Sequence, residues 1–479
     1  MAKSTKPVPQ ESGATQTEKL IVEGGTPLKG VIRVGGAKNA SYKLMIASIL
    51  GSKQSRLLNL PGISDVDLVA GIINDLGGKA YRAGHKTMFL EPQEMKHFKI
   101  DPDHGEASRA STLFVGPLLA RFWQAEVPLP GGDRIGKRPL GRHLEGLEQM
   151  GVKWKIEDEM LKLRATRLRG TTYRFNKNTH TGTETLIMAA VMADGKTILE
   201  NAAQEPEVDD LISFLNQMGA RIRRRAFRVI EIEGVKELGG AIHKVMPDRN
   251  EAVSYACGAI ATKGDIIIEN ANHEDLTAFI EKVEEAGGGV EIGNYGVRFF
   301  YQDELRATDI TTEIHPGFMT DWQPLWATLI TQAKGKSVIH ETVMQNRFQY
   351  ADLLRQMGAE IKEVKPEVKH PYKVYNFDWK DRKDTDIRAI EINGPTKFKG
   401  TELDVPDLRA GATALLAAIS GQGTTTLTNI EQIDRGYEDI EQKLRSLGAK
   451  IKRVNQKDSQ DEVQEKTQEN RQAKTKGDK

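Results

Sequence analysis

One pattern of apolar and polar positions returns six times along the chain. A run dense in Ala and larger aliphatic residues leads through a Gly-containing turn into a short β-type run, then into an amphipathic helix that ends on glycine. The apolar runs at 41–50, 111–121, 185–193, 252–261, 323–333 and 411–420 cover more than one stripe, so they predict buried rather than surface helices. Short strands are expected after them at 55–59, 197–200, 265–269 and 424–428. The closing turns place Gly77, Gly151, Gly219, Gly287, Gly358 and Gly448 just past a helix end, where a C-cap favours glycine.

The first four intervals between these turns are about 70 residues and the last about 90, which is internal self-similarity with one insertion. The excess falls at about 366–386, a polar stretch carrying Pro366 and Pro371, ahead of a strand-like run at 387–392. Units this long do not suit a solenoid coil; they suit two domains of three units each.

Composition narrows this little. At 479 residues the chain exceeds one ordinary core. Lys+Arg 68 against Asp+Glu 67 leaves no global basic field, so nucleic acid is not an expected partner. Cys257 is the only cysteine, which excludes an intrachain disulfide or a cysteine metal cluster, and its Ala-rich surroundings predict a buried thiol. Residues 1–18 are polar without a signal-like apolar core, and no stretch is long and apolar enough to span a bilayer; the expectation is a soluble cytoplasmic protein without membrane contact. Residues 1–18 and the Lys-, Glu- and Gln-rich 456–479 are expected to be disordered.

The densest chemistry lies at 129–139, LPGGDRIGKRP, where glycine and proline argue for a loop and Asp133 stands among Arg134, Lys137 and Arg138. Such cations suit a phosphate or another polyanion. The match to a P-loop start fails, because Arg138 replaces the required Ser or Thr and the prolines spoil the flanking strand and helix.

The six units, the motif VGGAKNA at 34–40 and the 129–139 loop together resemble the enolpyruvyl transferases, over about residues 20–454. The resemblance implies an α/β fold of two inside-out α/β barrels, with six βαβαββ-type repeats, three per domain, and substrates between the domains. It implies one domain at 38–246 and a discontinuous second at 19–37 plus 247–455. Within the family the chain looks most like the branch that moves the enolpyruvyl group of phosphoenolpyruvate to the 3-hydroxyl of UDP-N-acetylglucosamine, the opening step of peptidoglycan synthesis. Phosphate leaves through a tetrahedral intermediate, no metal or organic cofactor is implied, and a monomer is expected.

That chemistry needs a base for the hydroxyl, an acid for the vinyl carbon and cations for a phosphate and a carboxylate. The resemblance assigns the base to Asp321 and the acid to Asp133, with Lys38 near the crossover between domains. Read alone, Asp321 equally fits an N-cap for the helix beginning near Gln323. Phosphoenolpyruvate contacts carry over to Lys38, Asn39, Arg138, Arg409 and Arg435. Nucleotide-sugar contacts carry over to Asn39, Arg109, Arg138, Pro139, Leu140, Gly141, Arg142, Lys177, Asn178, Thr179, His180, Asp321 and Val343. Asp248 and Arg347 match positions lining the family's cleft. His143 and His180 read equally as surface histidines or nucleotide contacts.

Three positions depart from the pattern. Asp133 stands where most members carry the cysteine that fosfomycin alkylates, Gly141 where many have Asp, and Gln345 in place of a Glu. Two other readings remain: a 5-enolpyruvylshikimate-3-phosphate synthase, whose GSKS-type entry motif is replaced here by GAKN at 36–39, and a catalytically silent binder of nucleotide sugars.

Overall fold

The computed structural model describes residues 18–104, 110–129 and 140–455. The expected disorder of 1–18 and 456–479 therefore lies outside the described residues, apart from Glu18, which is in a strand.

Five of the six sheets share one four-stranded plan, a parallel pair joined antiparallel to a second, antiparallel pair; in four of them that second pair is a hairpin, and in the remaining one it is Glu18–Glu23 with Lys450–Asn455. In the first, Ile242–Lys244 runs parallel to Ser55–Leu58, which pairs antiparallel with Thr87–Glu91, which pairs in turn with Lys79–Arg82. The same succession recurs for Thr172–Arg174, Lys196–Glu200, Val229–Glu233 and Arg221–Ala226. It recurs again for Lys29–Arg33, Asp265–Glu269, Gly296–Tyr301 and Gly288–Gly293. The sixth sheet has three strands, Gln124–Pro128, Met160–Arg164 and Lys153–Glu157, with a parallel bridge from Lys99 to Glu126 in place of the fourth. The apolar pattern gives no sign of these hairpins, which only the βαβαββ repeat implied by the family likeness contains, because strands such as Arg221–Ala226 and Lys153–Glu157 are too charged to show an apolar run.

The apolar runs are the centre of the fold. Lys38–Ser48, His180–Ala190, Arg249–Ala261, Gln323–Ile330 and Leu408–Ser420 bury most of their residues, and the run at 111–121 divides into Ala110–Leu113 and Val115–Phe122. All 13 residues of Arg249–Ala261 are buried, including Cys257, which suits a helix packed between helices Gln323–Ile330 and Leu408–Ser420 and the strands Asp265–Glu269 and Gly296–Tyr301. The six closing glycines all have left-handed φ, from 88° at Gly287 to 108° at Gly219, as the C-cap pattern predicts.

Two separate cores result. One gathers apolar side chains from Ala37 to Val245, the other from Leu20 to Val34 and from Ala252 to Ile451. The chain passes between them at two adjacent points: Gly36 bridges Pro247, and the Ala37 amide donates to the Met246 carbonyl at 2.7 Å. No helix among the described residues is long and apolar enough to cross a membrane.

Candidate active site

Where the two passages lie side by side, helix Lys38–Ser48 starts without a side-chain cap of its own. Asp248 supplies one from the other lobe: Oδ2 accepts from the Lys38 amide at 2.8 Å, while Oδ1 accepts from the amides of Asn250 and Glu251. One carboxylate thus serves two helix N-termini, where backbone N–H groups and the helix dipole favour negative charge. Asp248 is thus placed at the crossover, buried behind Lys38 and apart from the residues that line the cavity.

Lys38 itself faces a cavity of about 360 Å³ between the lobes. Its Nζ lies 2.5 Å from Asp65 Oδ2, and Arg435 Nε, from the second lobe, lies 3.3 Å from Asp65 Oδ1. Burial pushes the Asp65 carboxyl up, but Lys38 and Arg435 outweigh it and hold it below its ordinary range. Asp65 had no role in the sequence reading, since an acid in the first turn of an amphipathic helix such as Ser64–Asp75 needs no ligand to explain it.

Asp321 stands on the second lobe's wall. It is not the N-cap of the helix that follows: that residue is Trp322, and no side chain caps there. Its Oδ1 accepts from Arg347 Nη2 at 2.7 Å and its Oδ2 from Arg409 Nη2 at 3.1 Å. Burial raises its carboxyl, yet Arg347 and Arg409 together hold it far below the usual carboxylate range. Both arginines are fixed from behind. The Arg409 amide donates to Asp407 Oδ1, which caps helix Leu408–Ser420, and its Nη1 donates to Tyr437 Oη. Arg347 Nη1 donates to Thr320 Oγ1, and Thr320 donates to the buried Glu341. Glu341 also accepts from the amides of Val343 and Met344, so one carboxylate shapes the turn that carries Val343, Gln345 and Arg347.

The first lobe provides the facing wall. Leu140, Arg142, Asn178, Thr179 and His180 line the cavity there. Thr179 caps helix His180–Ala190 by accepting from the Gly182 amide. His180 Nε2 lies 3.0 Å from both Lys43 Nζ and Glu184 Oε1. Burial pushes the ring's pKa down and Lys43 adds to that, but the carboxylates of Glu184 and Glu205 together reverse it and the net shift is upward. Lys43 and Glu184 were not singled out in the sequence; the available signal was one Lys inside an otherwise apolar run. His143, also on this wall, is buried, with Nε2 3.1 Å from Thr181 Oγ1.

The cavity therefore brings together Lys38, Asn39, Leu140, Arg142, Asn178, Thr179, His180, Asp321, Val343, Arg347, Arg409 and Arg435. Lys177 stands behind the wall with its Nζ on the carbonyls of Tyr372 and Tyr375, and Gly141 is exposed as the first residue of helix Gly141–Gln149. Asp133, Arg138, Pro139 and Arg109 lie outside the described residues. Among the described residues, no group of His, Cys, Asp or Glu is placed to hold a metal ion. The set is suited to an anionic ligand: cations from both lobes converge on one space, and the two carboxylates closest to them, Asp65 and Asp321, are each already paired with cations from the cavity wall.

Residues 22–444 match the family model described as EPSP synthase (3-phosphoshikimate 1-carboxyvinyltransferase). The chain is 38% identical over 440 residues to a UDP-N-acetylglucosamine 1-carboxyvinyltransferase of Koribacter versatilis, covering 91% of this chain and 96% of that protein. It is 36% identical to the protein of the same name from Halothermothrix orenii, covering 91% and 99%. Among solved structures, the enolpyruvyl transferase NikO from Streptomyces tendae superposes with a TM-score of 0.79 at 23% identity, covering 92% of this chain and 99% of that one. EPSP synthase from Acinetobacter baumannii superposes with a TM-score of 0.66 at 17% identity, covering 92% and 100%. At those identities the two structures speak to the fold alone.

Proposed function

Since the chain belongs to the EPSP synthase family of enolpyruvyl transferases, we propose that it transfers the enolpyruvyl group of phosphoenolpyruvate to the 3-hydroxyl of UDP-N-acetylglucosamine and releases phosphate, as the first step of peptidoglycan synthesis. The observation that carries this reading is Asp321, an ionised carboxylate held between Arg347 and Arg409 on the wall of an interlobe cavity that Lys38 and Arg435 enter from the two sides. Likeness to proteins named for this acceptor over nine-tenths of the chain favours it over the shikimate relative.

In this reading Asp321 takes the proton of the sugar hydroxyl as its oxygen attacks C2 of phosphoenolpyruvate, and C3 is protonated by Asp133. The carbon–oxygen bond to phosphate then breaks and C3 gives up a proton, which restores the double bond. Asp321 is a poor base while two guanidinium groups hold it. Binding of the donor's carboxylate and phosphate draws Arg409 and Arg347 toward the substrate, which frees lone pairs on Asp321 and raises its basicity when the hydroxyl is in place. Lys38 and Arg435 take the phosphate, and in doing so part from Asp65.

Residues 38–246 act as one domain and 19–37 with 247–455 as the other, closing on the substrates. A single chain supplies both walls, so the protein works as a monomer, in the cytoplasm where both substrates are made.

Phosphate release with phosphoenolpyruvate and UDP-N-acetylglucosamine tests the reading. Turnover with that acceptor and none with shikimate 3-phosphate is expected; the reverse, or tight binding of the sugar nucleotide without turnover, overturns it. Fosfomycin tests the part played by Asp133. A carboxylate opens the epoxide poorly, and Cys257 is buried with its thiol pKa pushed well up by burial. The native protein should resist time-dependent inactivation and Asp133→Cys should acquire it.

A further inference from the structure

The two-residue turns Asp158-Glu159, Phe227-Arg228 and Asn294-Tyr295 close three of the sheet hairpins. In the fifth sheet the hairpin of Glu360–Val364 and Ala389–Gly394 has Val364 directly opposite Ala389, so a turn of that size would serve there too. The chain instead runs out through residues 365–388. The sequence reads 366–386 as a polar insertion without an assigned role, and in the fold it builds a small aromatic base. Trp379 stacks on Tyr375 at 4.6 Å and carries the guanidinium groups of Arg382 and Arg388 against its ring, and the Tyr375 hydroxyl meets His340 Nε2 at 3.0 Å. Gln345 Nε2 fastens it further, donating to the Asp381 carbonyl at 3.1 Å and to Asp386 Oδ2 at 2.5 Å.

From that seat on the second lobe the segment reaches the first. Arg142 Nη2 donates to the Asn376 carbonyl at 2.8 Å, Asn376 Nδ2 donates to the Asn178 carbonyl at 2.9 Å, and Lys177 Nζ donates to the Tyr375 carbonyl at 2.7 Å. Asn376, Phe377 and Asp378 line the cavity beside Arg142 and Asn178. The acceptors offered to Arg142 and Lys177 are neutral carbonyls, which orient the two cations without cancelling their charge. The carboxylate whose charge bears on both is Asp378. A segment serving only its own lobe would have no use for these bonds.

We propose that residues 365–388 are a substrate-positioning element. Through Asn376 the segment holds Arg142 and the Lys177–Asn178 bend ahead of helix His180–Ala190 in place for the sugar nucleotide, and it closes that end of the cleft from the opposite lobe. This rests on the acceptor being the sugar nucleotide proposed above. It also gives Gln345 a reason: a Glu there would set a second carboxylate against Asp386, where the amide donates instead.

The test is to replace residues 365–388 by Asn-Gly, the preferred two-residue hairpin turn, and separately to make Asn376→Ala. Two readouts are taken on each. In steady state the KM for UDP-N-acetylglucosamine should rise at least tenfold in the shortened protein and about threefold in Asn376→Ala, with kcat and the KM for phosphoenolpyruvate changed less than threefold. In hydrogen exchange on the ligand-free proteins, amides at 141–146 and 177–182 should exchange several-fold faster than in the native protein. An unchanged KM for the sugar nucleotide, or a loss confined to kcat, overturns the proposal, as does unchanged exchange in those amides. If the native protein does not use this acceptor, the functional reading fails by itself, and the exchange measurement still decides whether the segment holds the opposite lobe. If the shortened chain does not fold, Asn376→Ala carries both readouts.

Discussion

Asp321 and Glu207 are both carboxylates held by arginine, and they differ in what surrounds the pair. Glu207 is buried at the start of helix Pro206–Gln217 and takes Arg249 in two parallel bonds, Nε to Oε1 at 3.0 Å and Nη2 to Oε2 at 2.8 Å. Arg249 begins the buried helix of the other lobe, so this pair ties the lobes together close to the crossover. Asp321 divides its two oxygens between two arginines, and a fifth of its side chain faces the cavity. In both cases burial raises the carboxyl and arginine more than reverses it, taking Glu207 to about 2. A depressed pKa therefore does not mark the functional group by itself. The marks are access to the cavity and partners that an incoming anion can take away.

The comparison breaks most sharply by exchanging the two losses. Asp321→Asn is expected to cut turnover by roughly 10²–10⁴-fold while sugar-nucleotide binding persists, because the amide keeps the volume and cannot take a proton. Rapid-quench turnover alongside equilibrium binding checks it; near-normal turnover removes Asp321 as the base. Glu207→Gln should do the opposite. It leaves Arg249 buried without its counter-charge, a loss on the order of 3–5 kcal/mol in folding stability, read by denaturant unfolding, while kcat of the folded fraction stays within a few-fold. If stability is unchanged and kcat collapses, the division between tie and site is wrong.

Acid sharpens the same contrast. Because the folded pKa of Glu207 lies below its unfolded value, its stabilisation is present above about pH 4.5 and is lost as pH falls toward about 2. Unfolding free energy of the native protein should fall over that window, and the Glu207→Gln variant should show a shallower fall. Equal slopes would mean that the pair is not formed in solution.

How far these features could be read from the sequence follows the same line between packing and charge. The buried helices and closing glycines were legible because burial leaves a periodic apolar trace and a C-cap leaves a glycine, as at Gly219 with φ 108°. Asp321, Arg347, Arg409 and Arg435 were named through a family likeness; nothing local distinguishes Asp321 from a helix cap. Asp65, Lys43 and Glu184 were missed because their meaning comes from partners distant in sequence: Asp65 meets Arg435, and Lys43 meets Glu184. The 365–388 segment showed only as a polar insertion without a role, because Tyr375, Phe377 and Trp379 alternate with polar residues and meet partners such as His340 and Arg388 only in the fold.

At the nucleotide end the comparison extends to a carboxylate added by substitution. In Gln345→Glu the new acid would stand where the amide now donates to Asp386 Oδ2 at 2.5 Å. The lost bond and the like charge should cost about 1–3 kcal/mol locally and raise the KM for the sugar nucleotide several-fold, in the same direction as removing the segment. An unchanged KM would mean that Gln345 does not seat it.

Gly141→Asp is the smallest change and the cleanest control. A Cβ at Gly141 meets nothing within 4 Å, and its φ is not left-handed, so the fold admits the side chain. Position 141 opens helix Gly141–Gln149, which has no acid in its first turn and no side-chain cap, so the new carboxylate should stabilise by about 0.3–1 kcal/mol through the helix dipole. Unlike Glu207 it has no buried partner, and unlike Asp321 it does not sit between arginines; it is exposed and next to Arg142. Its influence on the anionic acceptor should therefore be screened by salt, a KM change of about twofold at low ionic strength that vanishes near 0.5 M salt. A change of tenfold or more that survives high salt would show that an acid at 141 contacts the acceptor directly, and would move the nucleotide's seat from the 365–388 segment to the start of that helix.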